Sequence, residues 1–410
     1  MRVLSNVIAC LASAEVISPT GSYTDSRGLQ RDTFQINKTL STDDYHFVVL
    51  GDWGGRPAPL YTSPLQVSGA VALMKYAKLY KPEYVVSIGD HFYFNGIESV
   101  QDRRWERTFE NVYDSAEMMV PWYPAMGNHD WDKLPEDTEG DRLGNGWAQI
   151  EYSAHGTGRW THPDLFFTTE YTTGDGTIVK TIVIDTPTLT GVYSGEPPLP
   201  DRDDPRCSNF YNLDCPLKRL NPLFPEISAW AFEWIEEELV KSEHADYLFV
   251  AGHYQIVDTG GIYDYELFRR LDPLFEKYRV NAFFQGHKHT HEHAIRSPKL
   301  FPESGEENEG TVHYITTGAG ALLDVEAVIF EILQAGPSPR SGCHERWENS
   351  GNDNGQAICK YYWSTRHMNS GFTSVHVTKE RAKVSFVTAE VENPADDFIV
   401  GHEYELFPRK

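Results

Sequence analysis

The chain has 410 residues, and 60 acidic against 36 basic side chains give it a formal net charge of −24 at pH 7. Hydrophobic residues make up 40% of it and aromatic residues 13%, which is enough for a large core in one or two domains and excludes a disordered chain or a coiled coil. The negative charge argues against nucleic acid or an anionic membrane surface as a general partner. An anionic substrate would therefore need a local cationic site.

The N-terminal residues have the pattern of a targeting signal. Arg2 precedes an apolar stretch that ends in small residues at positions 12–14, which predicts a secretory signal peptide over residues 1–14. A buried N-terminal strand is the alternative. The mature chain would begin at Glu15 and be secreted or lumenal, as in a vacuole or lysosome. No later apolar run approaches the ~18 residues of a membrane span, so none is expected.

Cysteine usage fits the same compartment. Loss of Cys10 with the signal would leave an even number of cysteines, which is consistent with two disulfides. The four that remain are Cys207, Cys215, Cys343 and Cys359. Pairing of the sequence neighbours in this set is the simplest of three connectivities. The only glycosylation sequon predicts a modified Asn37.

Residues 15–43 are polar and are predicted to be an N-terminal lead-in to one catalytic domain over 44–408. In that domain, short apolar runs typical of strands buried on both faces recur, each followed directly by glycine. These strands are predicted at 46–50, 84–88, 123–126, 247–251 and 281–285.

Helices are predicted between the strands. Apolar residues at helical spacing indicate helices at 70–80 and 227–239, and Asp272-Pro273 is expected to cap and open a third helix that runs to Tyr278. Residues 373–391 alternate apolar and polar side chains about a central turn, which predicts a β-hairpin. Two long loops, 191–225 and 334–370, interrupt the pattern.

Each of the five predicted strands that precede a glycine is followed by a side chain that could bind a metal ion. In chain order these are Asp52, Asp90 with Tyr93, Asn128 with His129, His253, and His287 with His289. Singly, such residues are common in turns and on surfaces. In a sheet flanked by helices, however, the loops at the carboxyl ends of the strands converge on one crevice. Five consecutive endings of this kind therefore predict a metal site.

The chemistry of the donors indicates which metals would bind. Seven candidate ligands exceed the set of a single zinc ion, so two ions that share a carboxylate are expected. A phenolate suits a trivalent ion, whereas imidazole and amide oxygen suit a divalent transition metal. The two ions would exceed the charge of two carboxylates and one phenolate by about +2, which could hold a hydroxide and a phosphate and permit activity in acid.

Five motifs give the chain a family resemblance. They are GDWGG at 51–55, GDHFYFNGI at 89–97, GNHD at 127–130, VAGHY at 250–254 and GHKH at 286–289. With these motifs the sequence resembles the metallophosphoesterases and, within them, the small tartrate-resistant (mammalian-type) purple acid phosphatases. Tyr93, three residues after Asp90, is the feature specific to the iron-containing group.

The resemblance implies an α+β fold, a four-layer αββα sandwich of two mixed β-sheets flanked by helices. It also implies a secreted acid phosphatase in which a hydroxide on the metals attacks phosphate monoesters, with small phosphate esters and phosphoproteins as substrates. The implied roles are Asp52, Tyr93 and His289 on Fe(III), Asn128, His253 and His287 on a divalent ion (iron, zinc or manganese), Asp90 as the bridge, and His129 as the residue that assists the leaving group.

The sequence departs from the family pattern near the active site. The family commonly has a second histidine that acts as a general acid, nine residues after the histidine of VAGHY, and that position holds Ile262. The candidates to replace it are Asp258, His291 and His293, unless His129 acts alone. His91 stands where the family has asparagine, and it is expected either behind the ligands or in a plain polar role. The loop at 191–225 aligns with the family's active-site loop but differs from it in sequence.

Two alternatives to a phosphomonoesterase remain. A phosphodiesterase or nucleotide-cleaving enzyme is the nearest, because loops decide substrate choice and the loops of this chain are unusual. A non-catalytic scaffold on the same fold is the alternative from another class. The complete ligand set argues against a scaffold.

Overall fold

The structure is a computed structural model that describes residues 15–25, 27–131, 145–191, 223–258, 261–297, 310–321, 359–364, 369–389 and 398–409. In chain order its strands are β1 (Val16–Thr24), β2 (Gln30–Thr39), β3 (Tyr45–Leu50), β4 (Val85–Ile88), β5 (Trp122–Ala125), β6 (Phe167–Thr172), β7 (Ile178–Val183), β8 (Tyr247–Ala251), β9 (Val257–Asp258), β10 (Gly261–Ile262), β11 (Ala282–Gln285), β12 (His291–Arg296), β13 (Val312–Thr317), β14 (Cys359–Ser364), β15 (Gly371–Val377), β16 (Ala382–Ala389) and β17 (Phe398–Leu406).

The helices of the described residues are α1 (Pro64–Tyr80), α2 (Asn128–Trp131), α3 (Gly146–Tyr152), α4 (Thr186–Thr190), α5 (Pro225–Lys241) and α6 (Tyr265–Lys277), with a π-helical segment at Trp105–Glu110 and a 3-10 turn at Ala116–Met118. Local signals fix the ends of α1. The Ser63 hydroxyl accepts the Gln66 N–H at 3.0 Å, Pro64 occupies the first turn, and Lys81 ends the helix in the left-handed conformation. None of the described helices combines the length and apolarity of a membrane-spanning segment.

The described strands form two mixed sheets and a two-stranded ribbon. One sheet has the order β17-β16-β15-β3-β4-β5, and the other has the order β1-β2-β6-β7-β8-β11-β13-β12-β14. Strands β3, β4 and β5 are parallel in the first sheet, and β7, β8, β11 and β13 are parallel in the second. Strands β9 and β10 pair as the ribbon.

Three hydrophobic clusters define four layers. One cluster lies between the two sheets and contains Phe47, Phe249 and Phe284. A second joins α5 and α6 to the larger sheet, and a third joins α1 and the Trp105–Glu110 segment to the smaller sheet. The predicted α+β sandwich of two mixed sheets with flanking helices is therefore confirmed.

The five predicted strands are confirmed as β3, β4, β5, β8 and β11, and the predicted hairpin as β15 and β16. The helices predicted at 70–80 and 227–239 lie within α1 and α5. The predicted start of the third helix is wrong. Helix α6 begins at Tyr265, where the Asp264 carboxylate accepts the Leu267 N–H at 2.8 Å, so Pro273 lies inside the helix. Asp272 instead accepts the Tyr314 hydroxyl hydrogen at 2.6 Å.

The region predicted as a polar lead-in contains two strands, β1 and β2, and β2 pairs in parallel with β6. At its start, Glu15 accepts the Tyr123 hydroxyl hydrogen at 2.7 Å. Residues 1–14, Cys207, Cys215, Cys343 and the side chain of Cys359 lie outside the described part of the chain, as do most of the two long loops.

Candidate metal centre

The candidate ligands follow the carboxyl ends of strands from both sheets. Asp52, Asp90 and Asn128 follow β3, β4 and β5 of the smaller sheet, and His253 and His287 follow β8 and β11 of the larger one. Main-chain hydrogen bonds hold each set together, from the Gly286 N–H to the His253 carbonyl at 2.8 Å and from the Asp52 N–H to the Gly89 carbonyl at 3.0 Å. The main-chain N–H of His287 joins the two sets, because it donates to Asp52 Oδ2 at 3.0 Å. Seven side chains from distant parts of the sequence thereby meet in one place.

Three of these residues have an unusual backbone. Asp52, Asp90 and His287 have φ angles of 58°, 53° and 69°, in the left-handed region that non-glycine residues rarely adopt. Such conformations cost of order 1–3 kcal/mol each and persist only where the surrounding structure enforces them. They turn the chain sharply at the strand end, so each side chain faces the centre.

Glycine is required beside two of the ligands. A Cβ atom on Gly127 would lie 2.2 Å from Asp90 Oδ1, and one on Gly89 would lie 2.4 Å from His253 Nδ1. Gly89 also has a φ of +94°. The glycines that precede the ligands therefore allow close approach as well as the turn that the sequence predicts.

Asp90, His253 and His287 form one cluster whose potential ligand atoms all lie within 4.8 Å of one another. The Asn128 amide oxygen lies 3.0 Å from His253 Nε2 and 3.0 Å from His287 Nδ1, so it belongs to the same cluster. The other ring nitrogen of His253 donates to the Ile88 carbonyl at 2.8 Å, which orients Nε2 towards the cluster. A carboxylate, an amide oxygen and two imidazoles are donors that suit a divalent transition metal.

Asp52, Asp90 and His289 form a second cluster, and their potential ligand atoms also lie within 4.8 Å of one another. The Tyr93 hydroxyl lies 2.9 Å from His289 Nε2 and 3.2 Å from Asp52 Oδ1. The second oxygen of Asp52 accepts the His287 N–H at 3.0 Å, which holds the carboxylate in place. Because Asp90 belongs to both clusters, the donors fit two ions that share one carboxylate. The phenol of Tyr93 belongs to the cluster with two carboxylates.

Burial sets the ionisation of the centre. It raises the pKa of the Asp52 carboxyl to about 8, and the pKa of the Tyr93 phenol rises well above its usual range for the same reason. Burial lowers the pKa of His287 to about 3, whereas at His253 the effect of burial is outweighed by Asp90 and Asp52, which raise the pKa to about 9. Buried acids that resist ionisation are strongly stabilised by a cation, because it offsets the cost of their negative charge.

His129 lies at the edge of the centre. Its main-chain N–H donates to Asp90 Oδ1 at 3.0 Å. Its ring meets the Tyr93 ring edge to face, with the ring centroids 4.9 Å apart. Ring atom Nδ1 is 2.6 Å from the Phe94 carbonyl oxygen. A carbonyl only accepts, so Nδ1 carries the hydrogen, and Nε2 is the nitrogen left to act on a substrate.

His91 lies behind the ligands. Its Nδ1 is 2.9 Å from the Gln149 amide oxygen, and its ring packs between Trp53 and Trp160. Asp258 forms an ion pair, because its carboxylate lies 3.3 Å from Lys288 Nζ.

The last two histidines of the 287–293 segment lie between the sheets. His291 is fully buried, and neither of its ring nitrogens has a hydrogen-bond partner among the described residues. His293 exchanges hydrogen bonds with His313 at 3.0 Å and His402 at 3.1 Å. Asn37 lies half-buried on β2, where its amide oxygen accepts from Gln35 at 2.7 Å.

Sequence reasoning assigned no role to Asp130, which is fully buried beside the centre. Its carboxylate accepts the His91 N–H at 3.0 Å, the Gly127 N–H at 2.8 Å and the Gln149 amide at 2.8 Å. It thereby joins the loops after β4 and β5, which carry Asp90 and Asn128. Its place as the last residue of the GNHD motif was the available signal.

Comparison with known proteins shows the family of the chain. A family model for calcineurin-like phosphoesterases matches residues 45–291. Tartrate-resistant acid phosphatase type 5 of rabbit and of human are each 28% identical to this chain over 355 residues, which cover 85% of this chain and 89% of each relative. Purple acid phosphatase 17 of Arabidopsis thaliana is 25% identical over 321 residues, covering 78% of this chain and 80% of the relative.

Solved structures show the same fold. GAP50, described as the anchor in the inner membrane complex of Plasmodium, has a TM-score of 0.59 at 20% identity and covers 90% of each chain. The purple acid phosphatase PPD1 of yellow lupin seeds has a TM-score of 0.54 at 15% identity, covering 94% of this chain and 58% of that one. The chain therefore belongs to the calcineurin-like phosphoesterases, a metallophosphoesterase family, and is homologous to tartrate-resistant acid phosphatase type 5 and to plant purple acid phosphatases.

Proposed function

We propose that this protein is an acid phosphatase that hydrolyses phosphate monoesters at a dinuclear centre of Fe(III) and a divalent iron, zinc or manganese ion. The observation that carries the proposal is the pair of donor clusters that share Asp90, with Tyr93 in the cluster of Asp52 and His289. Phenolate and carboxylate donors on one side and neutral donors on the other favour two ions of different charge.

The ions, when bound, supply Lewis acidity that neutralises the phosphate and activates water. The chain supplies the geometry. Asp90 belongs to both clusters, and its carboxylate accepts the main-chain N–H of His129 at 3.0 Å. Asp52 is held in the same way by the His287 N–H. These main-chain donors keep both carboxylates oriented, so the oxygens that would hold the two ions are in place before substrate arrives.

His129 is proposed to assist the leaving group. Because Nδ1–H donates to the Phe94 carbonyl, the ring orientation is fixed and Nε2 can donate a proton when the imidazole is charged. The ring lies against Tyr93, at the edge of the cluster with the phenol. A proton delivered there neutralises the departing alkoxide oxygen.

The phosphodiesterase alternative shares this centre, and the ratio of the two activities distinguishes it. We expect kcat/KM for nitrophenyl phosphate to exceed that for bis(nitrophenyl) phosphate when both are measured at acidic pH. Metal analysis of the same sample should give two ions per chain, one of them iron, together with a visible absorption band from tyrosinate on ferric iron. A colourless protein with two zinc ions would contradict the metal assignment, and faster cleavage of the diester would favour the alternative.

A non-catalytic scaffold predicts a different outcome. If the protein were a scaffold, it would hydrolyse no phosphate ester even with both ions bound. Asp90→Asn provides the control, since loss of the shared carboxylate should remove ion binding and activity together. Activity that persists in Asp90→Asn would point to a contaminating phosphatase.

We further propose that the protein is secreted or lumenal and glycosylated at Asn37, with a mature chain from about Glu15. The support is the sequence pattern of residues 1–14, the even cysteine count after it and the single sequon. N-terminal sequencing, a thiol titration under denaturing conditions and glycosidase treatment of secreted material test the three parts. An intact Met1, or four reactive thiols, would contradict this proposal.

A further inference from the structure

A lysine lies between the two histidines of the GHKH motif. Lys288 Nζ is 2.6 Å from Glu292 Oε1 and 3.3 Å from Asp258 Oδ2. One fifth of the lysine side chain is exposed, against 3% of the Glu292 and 12% of the Asp258 side chain. A largely buried cation therefore lies beside a centre whose donors fit two further cations.

The three charged groups join three separate elements. Lys288 belongs to the turn between β11 and β12, Asp258 ends β9 of the two-stranded ribbon, and Glu292 lies on β12. The Thr290 hydroxyl also donates to Glu292 at 3.1 Å. One ammonium group therefore ties the turn that carries both histidines to the ribbon and to the following strand.

The main chain of the same turn is tightly held. The Lys288 N–H donates to the Gly286 carbonyl at 2.8 Å, and the Lys288 carbonyl accepts the Thr290 N–H at 2.7 Å. A Cβ atom on Gly318, which follows β13, would lie 2.1 Å from that carbonyl oxygen. Because the main chain of the turn is held this tightly, the turn cannot absorb a displacement locally. A change in the side-chain contacts of Lys288 would therefore shift His287 and His289 together with the turn.

The ribbon forms part of the wall beside His287. Tyr263 follows β10, its N–H donates to the Ile256 carbonyl at 3.0 Å, and its ring meets the His287 ring edge to face at 5.7 Å. The contact of Lys288 with Asp258 is therefore a link between this wall and the ligand turn.

Charge explains why a cation is tolerated here. Two carboxylates and one ammonium group carry a net charge of −1, so the cluster as a whole does not repel bound metal ions. Without the ammonium group, two largely buried carboxylates would face each other and separate, which would move the ribbon away from the turn.

We propose that Lys288 is a positioning residue that holds the His287–His289 turn and the β9–β10 ribbon in one arrangement through Asp258 and Glu292. The effect on metal affinity depends only on the donor clusters. The effect on catalysis rests on the proposed function.

The test compares Lys288→Met with Lys288→Arg in full-length protein. Metal affinity is measured by competition with a chelator for Zn²⁺ and for iron, together with the visible spectrum and separate kcat and KM values for nitrophenyl phosphate. Lys288→Met should weaken metal binding by about 10- to 100-fold, the loss typical of groups that orient ligands. It should also raise KM more than it lowers kcat, and Lys288→Arg should restore most of both.

Lys180→Met is the matched control, because Lys180 Nζ lies 3.1 Å from Glu238 in a buried ion pair between β7 and α5. It should lower the melting temperature and leave metal affinity and the spectrum unchanged. Unchanged metal affinity in Lys288→Met, or an equal loss in Lys180→Met, would overturn the proposal. If Lys288→Met does not fold, Asp258→Asn decides, since it should weaken metal binding in the same direction. A wild type without phosphatase activity would contradict the proposed function, while the chelator comparison would still test Lys288.

Discussion

The segment from 287 to 293 places alternate histidines in two different regions of the molecule. His287 and His289 lie in the metal centre, where they contact Asn128 and Tyr93. His291 and His293 lie between the sheets, packed against Phe386. The four imidazoles are similar in sequence context, yet among the residues that the structure describes only the first two belong to groups of donors close enough to share one cation.

The difference arises at the turn. His287 has a left-handed backbone, and β12 begins only at His291, so the alternation of a strand does not extend through all four residues. In the second region burial alone lowers the pKa of His291 to about 4, and it stays neutral. Burial is thus common to both regions, and the partners of each ring decide whether it can serve a metal.

The largest effect should come from mutating the histidines of the two regions and comparing the variants. His287→Ala and His289→Ala should each lose one of two bound ions and lower kcat/KM by at least about 10³-fold, because several kcal/mol of charge stabilisation disappear. His291→Leu is the control from the other region, and it should keep both ions. Metal analysis and kinetics on the purified variants check this. Loss of an ion from His291→Leu would place that histidine in the centre after all.

A smaller effect is expected at His129, and it should depend on the leaving group. His129→Ala should slow alkyl phosphates by about 10²-fold or more and aryl phosphates much less, because alkoxides need the proton. Both metals should stay bound. The measurement is kcat/KM for one alkyl and one aryl ester. Equal losses would mean that His129 only positions phosphate, and the same selectivity in His291→Leu or His293→Gln would move the role to the second region.

The two sides of the centre are distinguished by two tyrosines. Tyr93→Phe should bleach the visible band and weaken binding of the trivalent ion by at least roughly tenfold, since the phenolate donor is lost. Tyr254→Phe is matched to it, because Tyr254 is also fully buried and its ring lies 4.8 Å from the His287 ring in the other cluster. It should leave the band in place. Absorption spectra of both variants at equal iron content decide the assignment.

The smallest effect concerns a neutral histidine outside the segment. Burial lowers the pKa of His162 well below its usual range, and neither ring nitrogen has a hydrogen-bond partner within the described ranges. The unfolded chain therefore binds a proton that the folded chain refuses, so acid favours unfolding. Relative to His162→Leu, the wild type should lose about 1.4 kcal/mol of unfolding free energy for each pH unit below about 6.5.

Denaturant titrations between pH 8 and pH 5 measure that difference. His155→Gln serves as the control, because His155 is exposed in the folded chain, and it should follow the wild type. Parallel curves for wild type and His162→Leu would show that His162 becomes charged without unfolding.

Sequence predicted the donors of the centre because each one follows a buried apolar run and a glycine, which is a local pattern. It did not separate His289 from His291, since that depends on where β12 begins. It also placed the start of α6 at Asp272, because Asp-Pro is a common helix opening, whereas Asp264 caps the same helix eight residues earlier.

The strands β1 and β2 escaped prediction for another reason. Most side chains of β1 are exposed, and Tyr23 is its one buried residue. Its stability comes from main-chain pairing with β2, which pairs in turn with β6. Main-chain pairing of this kind does not produce an apolar periodicity, so the sequence pattern does not predict it.

The pairing of β3 with β15 has a consequence for the order of events during synthesis. Tyr45 pairs with Val377, so the strand that leads to Asp52 has an unpaired edge until nearly the whole chain has left the ribosome. Contacts between such distant residues form slowly. We therefore expect metal ions to bind only after the C-terminal hairpin has docked, and a chain truncated before β15 should bind none even though every candidate ligand is present.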